Sequence, residues 1–290
     1  MAMSSSSAST SDRPGAAGGR LVLVGTPIGN LGDLAPRAIE ALAGADLVCC
    51  EDTRRTGRLL EHAGVRARAL RVANEHTEGA VAAEVAERVV RGEVVAVVSD
   101  AGMPGISDPG ERLVAAVVAA GGIVEVVPGP SSALAALVAS GLPTGRFAFE
   151  GFLPRKGSGR TERLAAVAAE RRTTVLFEAP HRLVRTLSDL VDACGPDREV
   201  SVARELTKLH EEHRRSRLGD ALAQARASEP RGEHVIVLAG APAPAEVDDA
   251  AIREALDRLR AAGLSTRDAV ADVASALGVP KRRVYDLATG

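Results

Sequence analysis

The 290-residue chain is 46% hydrophobic and 26% charged, with a formal net charge of −2. It is longer than one average domain and apolar enough to bury a core. The near-neutral balance excludes a basic nucleic-acid-binding domain, so any RNA contact has to come from local patches. No apolar run approaches the roughly 20 residues a membrane helix needs; Leu113–Ala120 is among the longest. Cys49, Cys50 and Cys194 make neither a disulfide framework nor a four-ligand zinc site, which fits a reducing cytoplasm. Aromatic residues are only 2%, namely Phe147, Phe149, Phe152, Phe177 and Tyr285, poor material for stacking exposed bases.

Residues 1–19 are rich in Ser, Ala and Gly and lack the basic start and apolar segment of a signal peptide. They are expected to form a disordered tail. Order is expected from Arg20. Leu21–Val24 and Leu47–Cys50 read as buried strands, and Asp33 as the cap of a helix carrying Ile39 and Leu42. Thr53 is placed to cap a helix through Leu60, and Thr77–Arg91 is helical before the strand Val94–Val98. Asp108-Pro109 supplies an N-cap and a first-turn proline for the helix Glu111–Ala120. The strand Ile123–Val127 and a helix from Ser131 to Ser140 follow. Repeated β-α alternation with short connections predicts a mainly parallel α/β sheet over residues 20–144.

A second α/β unit is expected over 145–241. Its strands are Thr174–Phe177, Glu199–Ala203 and His234–Ala239, and its helices Thr161–Arg171, Arg182–Ala193 and Gly219–Ala227. Glu211–Arg217 fits a strand or a helix. The Pro/Ala stretch Ala241–Glu246 reads as a linker before a helical segment at 246–290. There, Thr266 is expected to cap a helix with the apolar stripe Ala269, Val270 and Val273; Gly278 ends it, and Lys281–Arg283 opens the next.

Three Gly/Pro loops follow first-half strands: Gly25–Asp33, Ser99–Gly110 and Pro128–Ser132. Ligands of open α/β sheets bind beyond the carboxyl ends of strands, and Ser99–Gly110 is longer than turning requires. Neither a P-loop nor a G-x-G-x-x-G fingerprint is present, and no H-E-x-x-H motif occurs. Asp100, at the mouth of the second loop, suits a turn anchor or a partner for a cationic or hydroxyl-rich ligand.

Taken together, Gly25-Thr26-Pro27-Ile28-Gly29-Asn30-Leu31-Gly32-Asp33, Cys50-Glu51-Asp52-Thr53-Arg54, Ser99–Gly110 and Pro128-Gly129-Pro130-Ser131 resemble the ribosomal RNA small subunit methyltransferase I family, within the tetrapyrrole methylase superfamily. Glu150–Gly157, Phe177-Glu178-Ala179-Pro180-His181-Arg182, Ala203–Lys208 and Gly232-Glu233-His234 continue the resemblance in order, over about Arg20 to Gly240. The resemblance implies two α/β domains of the tetrapyrrole methylase type, with a cofactor cleft between them and a small C-terminal helix-turn-helix-like segment. It implies S-adenosylmethionine as cofactor, no metal, a homodimer, and 2′-O-methylation of a decoding-region cytidine of 16S rRNA within the 30S subunit. By the same analogy Ile28, Asp100, Ala101, Gly102, Met103, Ile106, Ser131, Ser132, Phe177 and Glu233 are the expected cofactor residues. Two rivals are a tetrapyrrole methylase of the same superfamily and a non-enzymatic RNA-binding assembly factor.

Charged clusters at strand ends point to phosphate: Arg54, Arg55, Arg155 and Lys156, joined by Lys281, Arg282 and Arg283 of the tail. A ribose hydroxyl is a weak acid whose proton must be accepted or oriented. Glu51, Asp52, Arg204, Glu205 and Lys208 are the candidates. Lys208 is the first choice for catalysis, with Glu205 anchoring Arg204 or Lys208. His181 reads as structural, and Cys49 and Cys50 as core.

Overall fold

A computed structural model describes residues 18–74, 76–243 and 247–289. Residues 1–17 of the expected disordered tail lie outside the described residues. The chain divides into two compact units, 1–241 and 242–290.

The first half of the larger unit alternates strand and helix: β1 (Arg20–Val24), α1 (Pro36–Gly44), β2 (Leu47–Cys50), α2 (Thr53–His62), β3 (Leu70–Val72), α3 (Glu78–Val90), β4 (Val94–Val98), α4 (Glu111–Ala119), β5 (Ile123–Val127) and α5 (Ser132–Ala139). The sheet order is β3-β2-β4-β1-β5, and every pairing is parallel. Alternate residues enter two cores: Leu21, Cys49, Val95 and Val97 pack with Val81, Val85 and Leu113, whereas Val22, Val48, Cys50 and Ala96 pack with Ala38, Leu42 and Leu60. Burial on both faces explains why β1, β2 and β4 are nearly continuous apolar runs.

The second half contains β6 (Phe147–Phe152), α6 (Ser158–Ala169), β7 (Thr173–Glu178), α7 (Pro180–Cys194), β8 (Glu199–Arg204), β9 (Glu212–Arg217), α8 (Leu218–Ala227) and β10 (His234–Leu238). Its order is β6-β7-β10-β8-β9, with β6 parallel to β7 and the other pairings antiparallel. One face packs under α6, α7 and α8 through Leu176, Ile236, Leu238, Leu187 and Leu222. The other face, Val175, Ala203, Val235 and Val237, shares a core with Ile28, Ala133, Ala136 and Leu137 of the first half.

Three local expectations in the larger unit are corrected, and one open choice is settled. Asp33 closes a single 3-10 turn capped by Asn30 and does not cap α1, which starts at Pro36. Asp52 caps α2 in place of Thr53, its carboxylate accepting from Arg54 N at 2.8 Å. The segment at Glu211–Arg217 is an edge strand, β9. Asp108 does not cap α4: the residue before that helix is Gly110, and Glu78 Oε1 accepts from Gly110 N at 2.8 Å and Arg112 N at 2.9 Å.

The smaller unit holds α9 (Asp249–Ala261), α10 (Thr266–Leu277) and α11 (Lys281–Thr289) around Ile252, Leu256, Ala269, Val270, Val273 and Val284. Ser265 caps α10, where Thr266 was expected, and left-handed Gly278 ends it. Among the described residues no helix is long and apolar enough to cross a membrane.

Candidate active site

Because β4, β1 and β5 are neighbours, the loops that follow them emerge side by side. Thr26 N donates to the Gly102 carbonyl at 2.9 Å and Gly102 N to the Thr26 carbonyl at 3.2 Å, tying the first two loops together. Gly25 and Gly129 join the first and third at backbone contact: a Cβ on Gly129 would lie 2.8 Å from the Gly25 backbone, so no side chain fits. Ser131 caps α5 and sets the start of that helix beside these loops.

A cavity of about 350 Å³ opens between the halves. Ile28, Ala101, Gly102, Met103, Ile106, Ser131 and Ser132 line it from the first half, and Phe177 and Glu233 from the second. Asp100 is not among the lining residues: its carboxylate pairs with Arg55 at 3.4 Å, and its buried Oδ1 has no partner. Sequence reasoning missed Ser107, Asp108, Phe152, Leu206, His234, Val235 and Glu178–Pro180 at the junction of β7 and α7. Non-glycine residues with positive φ among the described residues are Ser107 (61°), Glu205 (49°) and Thr207 (65°). Ser107 lines the cavity, and the other two flank Leu206, which also does. Backbone strain of this kind collects where a loop must hold one shape for a ligand.

Lys208 stands behind the cavity wall, its Nζ 3.0 Å from Glu205 Oε1 and 2.9 Å from Glu233 Oε2. Burial works against its charge, but the two carboxylates outweigh it and hold the ammonium above its usual range. Burial likewise raises Glu205, but the Glu233 N–H, at 2.9 Å, and Lys208 outweigh it and the carboxyl ends below its usual range. In this geometry the Lys208 ammonium donates hydrogen bonds to both carboxylates and anchors Glu233. Arg204 lies elsewhere. It lines a smaller cavity of about 60 Å³ under α7 and α8 and pairs with Glu212 at 3.7 Å. Glu51, raised mainly by burial, and Asp52, paired with Arg54, follow β2 and are not among the lining residues.

Asp108 also lines the cavity. Burial pushes its carboxyl up to about 7, reinforced by Glu51, Asp100 and Glu233 and opposed by the Ser99 hydroxyl. Of the expected phosphate contacts, Arg54 and Arg55 are exposed on the first turn of α2 beside Asp52 and Asp100. Arg155 and Lys156 are exposed in the loop between β6 and α6. In the smaller unit Lys281 and Arg282 are exposed, but Arg283 is held by Asp249 at 2.7 Å and by the Val247 carbonyl.

The cavity suits an elongated molecule that is part apolar and part charged. Ile28, Met103, Phe177 and Leu206 offer an apolar wall, Ser131, Ser132 and the start of α5 offer donors for a carboxylate, and Asp108 and Glu233 offer acceptors for cationic groups. Gly102 forms part of the cradle: a Cβ there would contact Ile28 and the Pro130 carbonyl at 3.4 and 3.5 Å. This donor and acceptor set fits S-adenosylmethionine, with its carboxylate, ammonium and sulfonium.

Two α/β halves holding such a cavity define a tetrapyrrole methylase fold, and residues 20–222 match the family model described as Tetrapyrrole (Corrin/Porphyrin) Methylases. The fold is similar to that of uroporphyrin-III-C-methyltransferase from Thermus thermophilus, at a TM-score of 0.54 and 25% identity over 76% of this chain and 94% of that one. It is also similar to diphthine synthase, at a TM-score of 0.57 and 18% identity over 76% and 90%. Residues 246–289 match the RsmI C-terminal HTH domain. Sequence relatives narrow the class. The chain is 44% identical to the ribosomal RNA small subunit methyltransferase I of Synechocystis sp. over 93% of its length and 97% of the relative's. It is 45% identical to that of Mycobacterium tuberculosis over 92% and 94%, and 43% identical to that of Escherichia coli O157:H7 over 93% and 94%. The chain belongs to the ribosomal RNA small subunit methyltransferase I family; it is a methyltransferase, and S-adenosylmethionine is its cofactor.

Proposed function

We propose that the enzyme methylates the ribose 2′-hydroxyl of a cytidine in the decoding region of 16S rRNA, acting on the 30S subunit in the cytoplasm. The observation that carries this reading is the family match running through both halves and the tail of one chain. S-adenosylmethionine, when bound, supplies an electrophilic methyl group. The protein's part is to hold the carboxylate end at Ser131 and Ser132, to enclose the apolar portion with Ile28, Met103 and Phe177, and to keep water from the reacting oxygen. Lys208 orients Glu233 and the polypeptide around it. Arg54, Arg55, Arg155 and Lys156 take phosphates on the larger unit, and Lys281 and Arg282 on the smaller. Exposed apolar side chains on α4 (Val118), edge strand β5 (Ile123, Val126) and α5 (Leu134, Val138) support a homodimer.

The direct test is incubation of the enzyme with 30S subunits and methyl-labelled cofactor, followed by nuclease digestion and mapping of the label. A label on one cytidine ribose is expected. A label on a base, or transfer to a tetrapyrrole and none to RNA, overturns the proposal.

A further inference from the structure

Oxygen methylation releases a proton, and the cavity wall has to supply its acceptor. The titratable side chains on that wall are Asp108, Glu178, Glu233 and His234. Glu178 is committed to the protein: it accepts from Ala179 N at 2.9 Å and Thr186 Oγ1 at 2.5 Å and pairs with Arg182 at 3.1 Å. Glu233 is paired with Lys208. His234 belongs to β10, is almost fully buried, and bonds to the Gly232 backbone. Asp108 is the one carboxylate among them with neither a cationic partner nor a backbone donor among the described residues, and His234, only 6% exposed, is less open to a substrate hydroxyl.

Its position is fixed by other groups. Left-handed Ser107 precedes it, Gly105 N donates to the Pro109 carbonyl at 3.0 Å, and Glu78 grips the two amides just beyond it. Glu78 thereby takes the Gly110 amide that an Asp108 cap would reach, α4 starts from Gly110 without a side-chain cap, and the Asp108 carboxyl lines the cavity. Ser99, whose hydroxyl lies 3.3 Å from the Gly102 carbonyl, is its hydrogen-bond neighbour. The charges that face it are Glu51 after β2, Asp100 after β4 and Glu233 before β10; behind them stand Arg55, on Asp100, and Lys208, on Glu233.

We propose that Asp108 is the general base of the methyl transfer, accepting the proton of the attacking hydroxyl on a carboxylate oxygen. The inference rests on the ribose reading above. In the step, a lone pair of the 2′-oxygen forms the bond to the methyl carbon as the carbon–sulfur electron pair departs with sulfur. The O–H bond breaks, its electron pair stays on oxygen, and Asp108 leaves as the neutral acid. A cavity-lining carboxyl raised toward neutrality is poised for this work. The positive charge of the bound cofactor draws it down and leaves it ionised when the hydroxyl arrives.

Two measurements test the proposal. Carbon-13 NMR of the cofactor-free protein, labelled at aspartate carboxyls, is expected to show a resonance with a midpoint clearly above the ordinary carboxylate range in the parent and none in Asp108→Asn. Single-turnover methylation at saturating cofactor and 30S subunits is expected to rise with pH in the parent, with an inflection at or below that midpoint. Asp108→Asn should be at least about 100-fold slower, without that inflection, at a cofactor concentration that calorimetry shows to saturate the variant. An Asp108 resonance titrating in the ordinary carboxylate range, or a variant that keeps the parent's rate and inflection, overturns the base assignment. Mapping the labelled atom in the same reactions separates the two failures: a base-methylated product sinks the ribose reading, whatever the Asp108 profile shows.

Discussion

Replacing Asp108 by asparagine should stabilise the cofactor-free protein at alkaline pH. The carboxyl moves from an ordinary 3.8 to about 7, chiefly because burial and then the Glu51 charge disfavour its ionised form. The folded state therefore keeps a proton that the unfolded chain has already released. Stability from this group is fully present below 3.8, falls as pH rises, and is gone above about 7. A displacement of that size sets a ceiling of about 4 kcal/mol. Solvent reaching a carboxyl that is only partly buried reduces it to about 1–2 kcal/mol. Asparagine keeps the shape of the side chain and never ionises. Urea unfolding should give parent and variant nearly equal stability at about pH 4, and a variant about 1–2 kcal/mol more stable at about pH 8.5. If Asp108 served as a turn anchor, the order would invert and the variant would be weaker at both values. A variant no more stable than the parent at the higher pH would refute the claim that this carboxyl is disfavoured as an ion.

Two further substitutions probe the support around that carboxyl. Glu78→Ala removes both acceptor contacts at the start of α4 and should cost about 2–3 kcal/mol in urea unfolding, with a slower methyl transfer at unchanged cofactor saturation. Lys208→Met leaves Glu205 and Glu233 without their cation and should slow single-turnover transfer about tenfold. Lys208→Arg should recover most of that loss and keep the parent's pH profile, whereas Lys208→Met, which leaves the Glu233 charge uncompensated beside Asp108, should move the inflection upward.

The parts of the fold that could be read from sequence are those where one local signal decides. β1, β2, β4 and β10 are short apolar runs bounded by Gly, Pro or charge, and each is a strand buried on both faces. β3 is three exposed residues at a sheet edge, and β9 reads Glu-His-Arg-Arg-Ser-Arg with no apolar face, so pairing alone makes them strands. The loops around the site were legible because their Gly/Pro content exceeds what turning needs, and their residues do gather at one cavity. Asp100 and Asp108 show where a local reading runs out. Asp-Pro before a helix satisfies the N-cap pattern, and only Glu78, 32 residues upstream of Gly110, takes those amides and frees Asp108. Asp100 looks free at the loop mouth until α2 brings Arg55 against it. Both outcomes depend on contacts between elements that no local window contains.

The smaller unit supplies the last prediction, because its three basic residues are not equivalent. Arg283 donates to Asp249 and to the Val247 carbonyl, closing the start of α9 against α11 beside buried Val284. Its guanidinium is occupied within the unit, whereas Lys281 and Arg282 are exposed on the first turn of α11. If this turn meets RNA, the two exposed residues carry the electrostatic contribution and Arg283 the fold. Lys281→Ala with Arg282→Ala should raise the KM for 30S subunits most at low salt. The slope of log KM against log salt should fall by about 1–2, the value for two phosphates. Arg283→Ala should leave that slope within about 0.5 of the parent and lower the unfolding midpoint, since it exposes the Asp249 carboxylate to no partner. A double variant whose KM tracks the parent at every salt concentration would show that α11 does not touch phosphate. A slope lost only with Arg283 would show that the internal pairing opens when RNA binds.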